Sequence, residues 1–140
     1  MIEGSCLCGG IRYEAEQPAG PMAHCHCRIC RKAHGAAFAT ILPVTQGGFR
    51  WLDGEELLRS YESSPGKLRW FCSGCGSQII STRTEDTEKL LLRAGCIDRG
   101  YPGSAVAHGW VDSSAPWYAI DDDLPCFPRS LPGSPRGAEE

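Results

Sequence analysis

The cysteines are the residues of this sequence whose spacing points most directly to chemistry. Nine cysteines occur among 140 residues, and seven of them fall into three short motifs. The motifs are Cys6-Leu7-Cys8, Cys25-His26-Cys27-Arg28-Ile29-Cys30 and Cys72-Ser73-Gly74-Cys75. An odd number of cysteines cannot pair fully in disulfides, and such spacings are typical of metal sites. We therefore expect metal binding or catalysis rather than a disulfide framework.

The first and third motifs together predict one closed, structural zinc site. Structural zinc takes four ligands at the corners of a tetrahedron. Cys72 and Cys75 supply two thiolates, and Cys6 and Cys8 complete the shell if the two turns meet in space. The glycine behind Cys75 permits a positive φ, with which backbone N–H groups can point at the thiolates. Buried free cysteines and a redox pair are the alternatives, but a redox pair is typical of a βαβ setting, which this sequence lacks.

The second motif predicts a different kind of site, because Cys25, Cys27 and Cys30 offer only three sulfurs. Three protein ligands with an open fourth position are typical of a zinc ion that takes part in chemistry. Such an ion can hold a substrate thiol as its thiolate. A fourth protein ligand would instead make this site structural as well. The candidates for that fourth ligand are His24, His26, His34, Cys96 and Cys126.

Basic residues follow the three cysteines closely. Arg31 and Lys32 lie within one helical turn of Cys30, where they can offset the negative charge of a zinc–thiolate unit, and we predict them to contact the substrate. A solvated helix face is the alternative for this pair. His26 lies between two predicted ligands and is expected to point away from the metal. For His108, a hydrogen-bonded core role and a site role both remain open.

The remaining pattern predicts a single, mostly β domain. Alternation over 11–16 and apolar runs at 38–42, 58–61, 68–71, 78–81, 90–94 and 106–111 read as short strands, which favours an antiparallel all-β fold. One helix is expected over 28–34, ended by Gly35. Several prolines and glycines occur near the end of the sequence, which predicts a Pro/Gly-rich flexible tail over 129–140.

Charge and hydropathy narrow the classes of function. The net charge of −3 and the absence of a basic run argue against general nucleic-acid binding. No stretch reaches the ~20 apolar residues of a membrane helix. The first residues show no basic stretch followed by an apolar run, so a cytoplasmic location is expected. Short exposed strand edges are compatible with a homodimer.

Three motifs in the same order resemble the glutathione-dependent formaldehyde-activating enzyme family, also called the centromere protein V-like family. Gly4 to Tyr13 (GSCLCGGIRY) resembles its opening motif, His24 to Gly35 (HCHCRICRKAHG) its second and Ser64 to Ser77 (SPGKLRWFCSGCGS) its third. Arg93 to Asp98 (RAGCID) and Ala115 to Trp117 (APW) fit weaker family positions. The resemblance covers roughly residues 3–128.

The resemblance implies a zinc-bound β-tent, two to three antiparallel sheets with one short helix, over residues 1–128. It implies that Cys6, Cys8, Cys72 and Cys75 hold a structural ion and that a second ion lies on Cys25, Cys27 and Cys30 near a glutathione site. The implied reaction is formation of S-(hydroxymethyl)glutathione from formaldehyde and glutathione, classed as a carbon–sulfur lyase in reverse. A non-catalytic, zinc-stabilised module that binds a thiol or a protein remains the alternative, because the sequence shows no evident general base.

Overall fold

The computed structural model describes residues 1–134, so residues 135–140 of the predicted tail lie outside the described residues. The chain forms two compact units. The first consists of residues 1–21 and 42–104, and the second of residues 22–41 and the segment that begins at Ala105. The expectation of a single β-tent domain over 1–128 stays a prediction. Among the described residues, the helices lack the length and apolar character needed to cross a membrane.

The first unit is built almost entirely of antiparallel strands. Its strands are β1 (Ile2–Ser5), β2 (Arg12–Ala15), β5 (Phe49–Asp53), β6 (Leu58–Ser64), β7 (Lys67–Cys72), β8 (Gln78–Arg83), β9 (Asp86–Arg93) and β10 (Ile97–Arg99). Four of them form a sheet in the order β10-β1-β2-β5, and the others lie in the order β9-β8-β7-β6. Each sequence-adjacent pair from β6 to β9 is antiparallel, as the pattern of short strands predicts.

The core of the first unit follows from the alternation in β2. Tyr13 and Ala15 are fully buried, whereas Arg12 is exposed. The ring of Tyr13 stacks on Phe49 at 5.4 Å between centroids and meets Trp51 edge-on at 6.3 Å. Burial of such side chains stabilises the fold by about 1.5–3 kcal/mol each. The period-2 pattern therefore predicts the buried face of this strand correctly.

Up to residue 134, the second unit carries one α-helix, one short 3-10 helix (Val111–Ser113) and a mixed set of strands. Its elements are β3 (Ala23–Cys25), α1 (Arg28–His34), the first half of β4 (Ala39–Thr45) and β11 (His108–Gly109). Strand β3 pairs antiparallel with β4 and parallel with β11. The expectation of antiparallel sheets therefore holds for most strand pairs and is wrong for β3 with β11. Parallel neighbours need a long connection, and here most of the chain lies between β3 and β11.

Helix α1 begins and ends where the sequence predicts. Gly35 closes it in the left-handed region with φ 59°, and its N–H donates to the carbonyl of Arg31. The next strand extends beyond the predicted run at 38–42, because β4 continues through Pro43 to Thr45. The carbonyl of Pro43 accepts the N–H of Ala19 at 2.8 Å. A proline is tolerated where a strand needs no N–H at that position.

The first residues of the predicted tail have contacts within the second unit. The N–H of Trp110 donates to the carbonyl of Arg129 at 2.9 Å. Gly109 lies so close to Leu131 that a Cβ at this position would stand 2.8 Å from its Cγ. The segment from Arg129 to Leu131 therefore lies against β11 and the residue that follows it.

Candidate metal centres

The first unit brings the sulfurs of Cys6, Cys8, Cys72 and Cys75 to within 4.8 Å of one another. The sulfurs of Cys6 and Cys8 are 3.5 Å apart, and those of Cys8 and Cys72 are 3.9 Å apart. Four sulfurs bound tetrahedrally at about 2.3 Å from one zinc ion lie about 3.8 Å from each other. The spacing of this four-cysteine cluster therefore fits one thiophilic divalent ion.

The backbone around these cysteines donates hydrogen bonds to their sulfurs. The N–H of Ile11 points at the sulfur of Cys6 and the N–H of Gly74 at the sulfur of Cys72, both at 3.3 Å. Gly76 adopts φ 80°, the left-handed conformation that the sequence predicts for a glycine behind the second cysteine. Such N–H groups spread the negative charge of a thiolate.

Two thiols of the four-cysteine cluster have very different pKa values. The hydroxyl and the backbone N–H of Ser77 lower the pKa of Cys75 to about 5. A backbone N–H from Gly10 acts in the same direction on Cys8, but the neighbouring sulfurs of Cys6 and Cys75 outweigh it and raise the pKa of Cys8 to about 11. One sulfur thus ionises readily, whereas another needs a cation to offset the thiolates around it. This donor set fits a divalent metal ion.

In the second unit, Cys25, Cys27 and Cys30 form a three-cysteine cluster with their sulfurs within 4.8 Å of one another. Cys25 ends β3, Cys27 caps the N-terminus of α1 and Cys30 lies in its first turn. The N–H of Cys30 donates to the sulfur of Cys27 at 3.2 Å. One short segment therefore supplies all three sulfurs.

An apolar wall surrounds the three-cysteine cluster. Cys27 and Cys30 are buried together with Ala39, and Ile41 and Trp110 pack against them. Hydrogen bonds from Cys27 and Cys30, with burial, hold the pKa of Cys25 far above its ordinary value. Three crowded thiolates would repel one another, so a bound cation is needed for all three to ionise. The donor chemistry again fits a thiophilic divalent ion.

Within residues 1–134, no histidine, cysteine or carboxylate joins the three-cysteine cluster as a fourth member. The sequence predicts five candidates for that place, and each of the five has contacts in the fold. Cys96 lies in the first unit and donates to the carbonyl of Gln78 at 3.2 Å. Cys126 is exposed, with its sulfur 3.6 Å from the carbonyl of Leu124.

His24 and His26 belong to a histidine cluster that also contains His108. His24 Nδ1 lies 2.8 Å from Thr40 Oγ1. His26 is fully buried, and its Nε2 lies 2.8 Å from Nδ1 of His108. His108 Nε2 in turn lies 2.9 Å from the carboxylate of Asp122. His26 is thus outside the cysteine cluster, as predicted, and His108 is a buried, hydrogen-bonded residue.

This chain of contacts fixes one of the proton positions. The carboxylate of Asp122 only accepts, so His108 donates from Nε2. If the His108 ring is neutral, its Nδ1 accepts from His26 Nε2. Burial and the neighbouring histidines lower the pKa of His26 to about 4, and the hydrogen bond from His108 lowers the pKa of Asp122. Sequence reasoning missed Asp122, since an aspartate within an acidic run gives no spacing signal.

The predicted substrate contacts lie on α1. Arg31 is partly buried and Lys32 is exposed. Burial is the largest cause of the lowered pKa of His26, and the positive charge of Arg31 is a smaller one. Nε of Arg31 is buried without a hydrogen-bond partner among the described residues. Contact of either side chain with a substrate stays a prediction.

Comparison with known proteins agrees with this geometry. The family model described as "glutathione-dependent formaldehyde-activating enzyme" matches residues 1–113. A crystal structure of a Rhodobacter sphaeroides protein superposes with a TM-score of 0.61 at 23% identity, covering 74% of this chain and 96% of that one, and shows the same fold. No curated protein matches. The chain belongs to the glutathione-dependent formaldehyde-activating enzyme family.

Proposed function

We propose that this protein is a zinc-dependent enzyme that joins glutathione to formaldehyde and also splits the adduct, as a carbon–sulfur lyase. Family membership supports a glutathione-dependent, formaldehyde-activating function in general terms. The zinc dependence, the reaction and its residues are our proposal. The observation that carries it is the cluster of Cys25, Cys27 and Cys30, which no fourth ligand from the described residues completes.

The reaction forms one carbon–sulfur bond. The sulfur of the glutathione thiol attacks the carbonyl carbon of formaldehyde, the C=O π bond becomes a C–O single bond, and the proton of the thiol ends on that oxygen. The product is S-(hydroxymethyl)glutathione, and the reverse reaction is the lyase direction. A zinc ion on the three cysteines would supply Lewis acidity that keeps a coordinated thiol ionised near neutral pH.

The residues around the three-cysteine cluster supply orientation and charge. Trp110 and Ile41 exclude water from one side of the sulfurs, which strengthens electrostatic interactions there. Three thiolates holding one divalent ion would carry a net charge of −1, and a substrate thiolate would add a further negative charge. We assign Arg31 and Lys32 to offset this charge and to contact the carboxylates of glutathione. The partly buried Arg31 has a donor, its Nε, without a hydrogen-bond partner among the described residues.

We assign the four-cysteine cluster to a structural zinc ion. Its four sulfurs complete a tetrahedral shell, so no position is left for a substrate. It links a turn near the start of the chain to the turn after β7 within the first unit. Its metal is therefore expected to stabilise the fold rather than to take part in the reaction.

An NMR exchange experiment tests the activity. The interconversion of formaldehyde, glutathione and their adduct is followed at neutral pH with protein that contains two zinc ions per chain. We expect an exchange rate above the uncatalysed background, abolished by Cys27→Ala. Cys126→Ala is the matched control, because this exposed cysteine lies outside both clusters, and it should retain the rate. A background rate with fully loaded protein would overturn the proposal for these substrates.

A further inference from the structure

A cavity of about 420 Å³ lies in the first unit, and its lining contains no residue of either cysteine cluster. The residues that line it include Ile80 and Leu90, which are both buried. Three aromatic side chains, Phe49, Trp51 and Trp70, line it as well. Small-ligand sites usually combine apolar and aromatic side chains with a few convergent polar groups, and in this cavity polar atoms contribute more of the exposed lining than apolar ones.

The aromatic rings are held in place by the surrounding strands. Trp70 donates from Nε1 to the hydroxyl of Thr82 at 3.0 Å. Phe49 and Trp51 meet edge to face, with centroids 4.7 Å apart and planes at 87°. Gln46, another lining residue, is anchored by hydrogen bonds from Nε2 to two backbone carbonyls of β9. Rigid walls reduce the entropy lost when a ligand binds.

The lining of the cavity is negatively charged. Among the described residues that line it, Glu55 alone carries a charged side chain. The neighbouring Glu56 and Asp53 add negative charge along the same loop. The nearby cation Arg59 has its guanidinium bonded to the carbonyl oxygens of Glu56 and Leu58. The carboxylate of Glu55 in the lining therefore favours a cation over an anion or a neutral group.

We propose that this cavity binds a small ligand that carries an alkylammonium group on an apolar body. The faces of indole and phenyl rings attract cations through their quadrupoles, and tryptophan does so most strongly. The carboxylate of Glu55 adds a direct charge at the rim, while Ile80 and Leu90 contact the apolar body of the ligand. None of the lining residues is a cysteine, so the inference does not rest on the metal chemistry proposed above.

Choline and its uncharged isostere 3,3-dimethyl-1-butanol test the proposal on the metal-loaded protein. The four tryptophan side-chain N–H signals are followed by NMR during each titration, after assignment through single Trp→Phe variants. Saturable shifts are expected for Trp51 and Trp70 with choline and not with the isostere. Trp110, which packs beside the three-cysteine cluster, and Trp117, which is 70% exposed, should not shift. Choline has neither a thiol nor an aldehyde, so its binding is independent of the proposed reaction.

A matched pair of variants identifies the charge involved. Glu55→Gln keeps the shape of the rim and removes its charge, and it should weaken choline binding about fivefold. Glu56→Gln removes the same charge from an exposed residue outside the lining and should leave the affinity within twofold. Equal binding of choline and the isostere would overturn the proposal. So would equal behaviour of the two variants, shifts confined to Trp110 or Trp117, or no saturable shift.

Discussion

The four-cysteine cluster takes its sulfurs from two turns that are far apart in sequence, whereas the three-cysteine cluster takes them from one segment of six residues. Closing the first cluster therefore requires the first unit to fold. The second needs only the end of β3 and the first turn of α1 to be in place. Metal affinity at a site that does not preexist in the unfolded chain contributes to folding free energy. The comparison predicts that losing one ligand has different consequences in the two regions.

The largest expected effect is on folding. Cys72→Ala removes a ligand from the closed cluster, and structural zinc binding is worth about 10–16 kcal/mol, which matches or exceeds the net stability of a typical domain. We expect this variant to be largely unfolded, whereas Cys27→Ala should keep the dispersed amide NMR spectrum of the folded protein. Circular dichroism and NMR of both variants measure this difference. If the two variants behave alike, the division into a structural and a reactive site is wrong.

The next effect concerns metal content. The unaltered protein is expected to bind two zinc ions per chain, and Cys27→Ala only one, with the exchange of formaldehyde and glutathione reduced to background. Metal analysis after gel filtration gives the count, and cobalt substitution reports the number of sulfur ligands at each site. Four thiolates at one ion and three at the other are expected. A second ion with four protein ligands would instead favour the non-catalytic module.

A smaller effect is expected from replacing either of two glycines, Gly76 directly after Cys75 and Gly35 at the end of α1. Gly76 and Gly35 have φ 80° and 59°, and no atom lies within 4 Å of an added Cβ at either position. An alanine at either site therefore costs about 1–2 kcal/mol through backbone strain alone. Thermal unfolding of Gly76→Ala and Gly35→Ala measures this cost. A spectral change in cobalt-loaded protein should appear at the four-cysteine cluster for Gly76→Ala and at the three-cysteine cluster for Gly35→Ala.

The smallest effect concerns hydrogen bonding in the second unit. His108 lowers the pKa of the Asp122 carboxyl below the ordinary 3.8. The folded protein therefore favours the carboxylate, and the associated stability is present above the unfolded pKa and is lost as pH falls through the folded value. A carbon-13 NMR titration of Asp122 should give a midpoint below that of a peptide spanning residues 119–125. Equal midpoints would mean that this hydrogen bond is not formed in solution.

Much of the local structure could be predicted because its causes are local. The alternation around Tyr13 marks a strand, and Gly35 marks the end of α1, since each depends on neighbouring residues alone. Strands β1, β3, β5 and β10 escaped prediction. Strand β1 is short and polar (IEGS), and β3 and β10 are only three residues long. Strand β5 (FRWLD) was missed although it is longer. The parallel pairing of β3 with β11 escaped as well, since nothing in either segment encodes a partner so distant in sequence.

The cysteine motifs by themselves determined the grouping of the sulfurs, because a C-x-C or C-x-x-C turn brings its own two sulfurs together wherever it lies. The basic residues of α1 are likewise apparent from spacing along one helical turn. Only the tertiary structure decided that Cys6 and Cys8 meet Cys72 and Cys75, that Asp122 reaches His108, and that Trp51, Trp70 and Glu55 line one cavity. These contacts join residues that are distant in sequence, and such proximity depends on how strands pair, which is set by the packing of the whole unit.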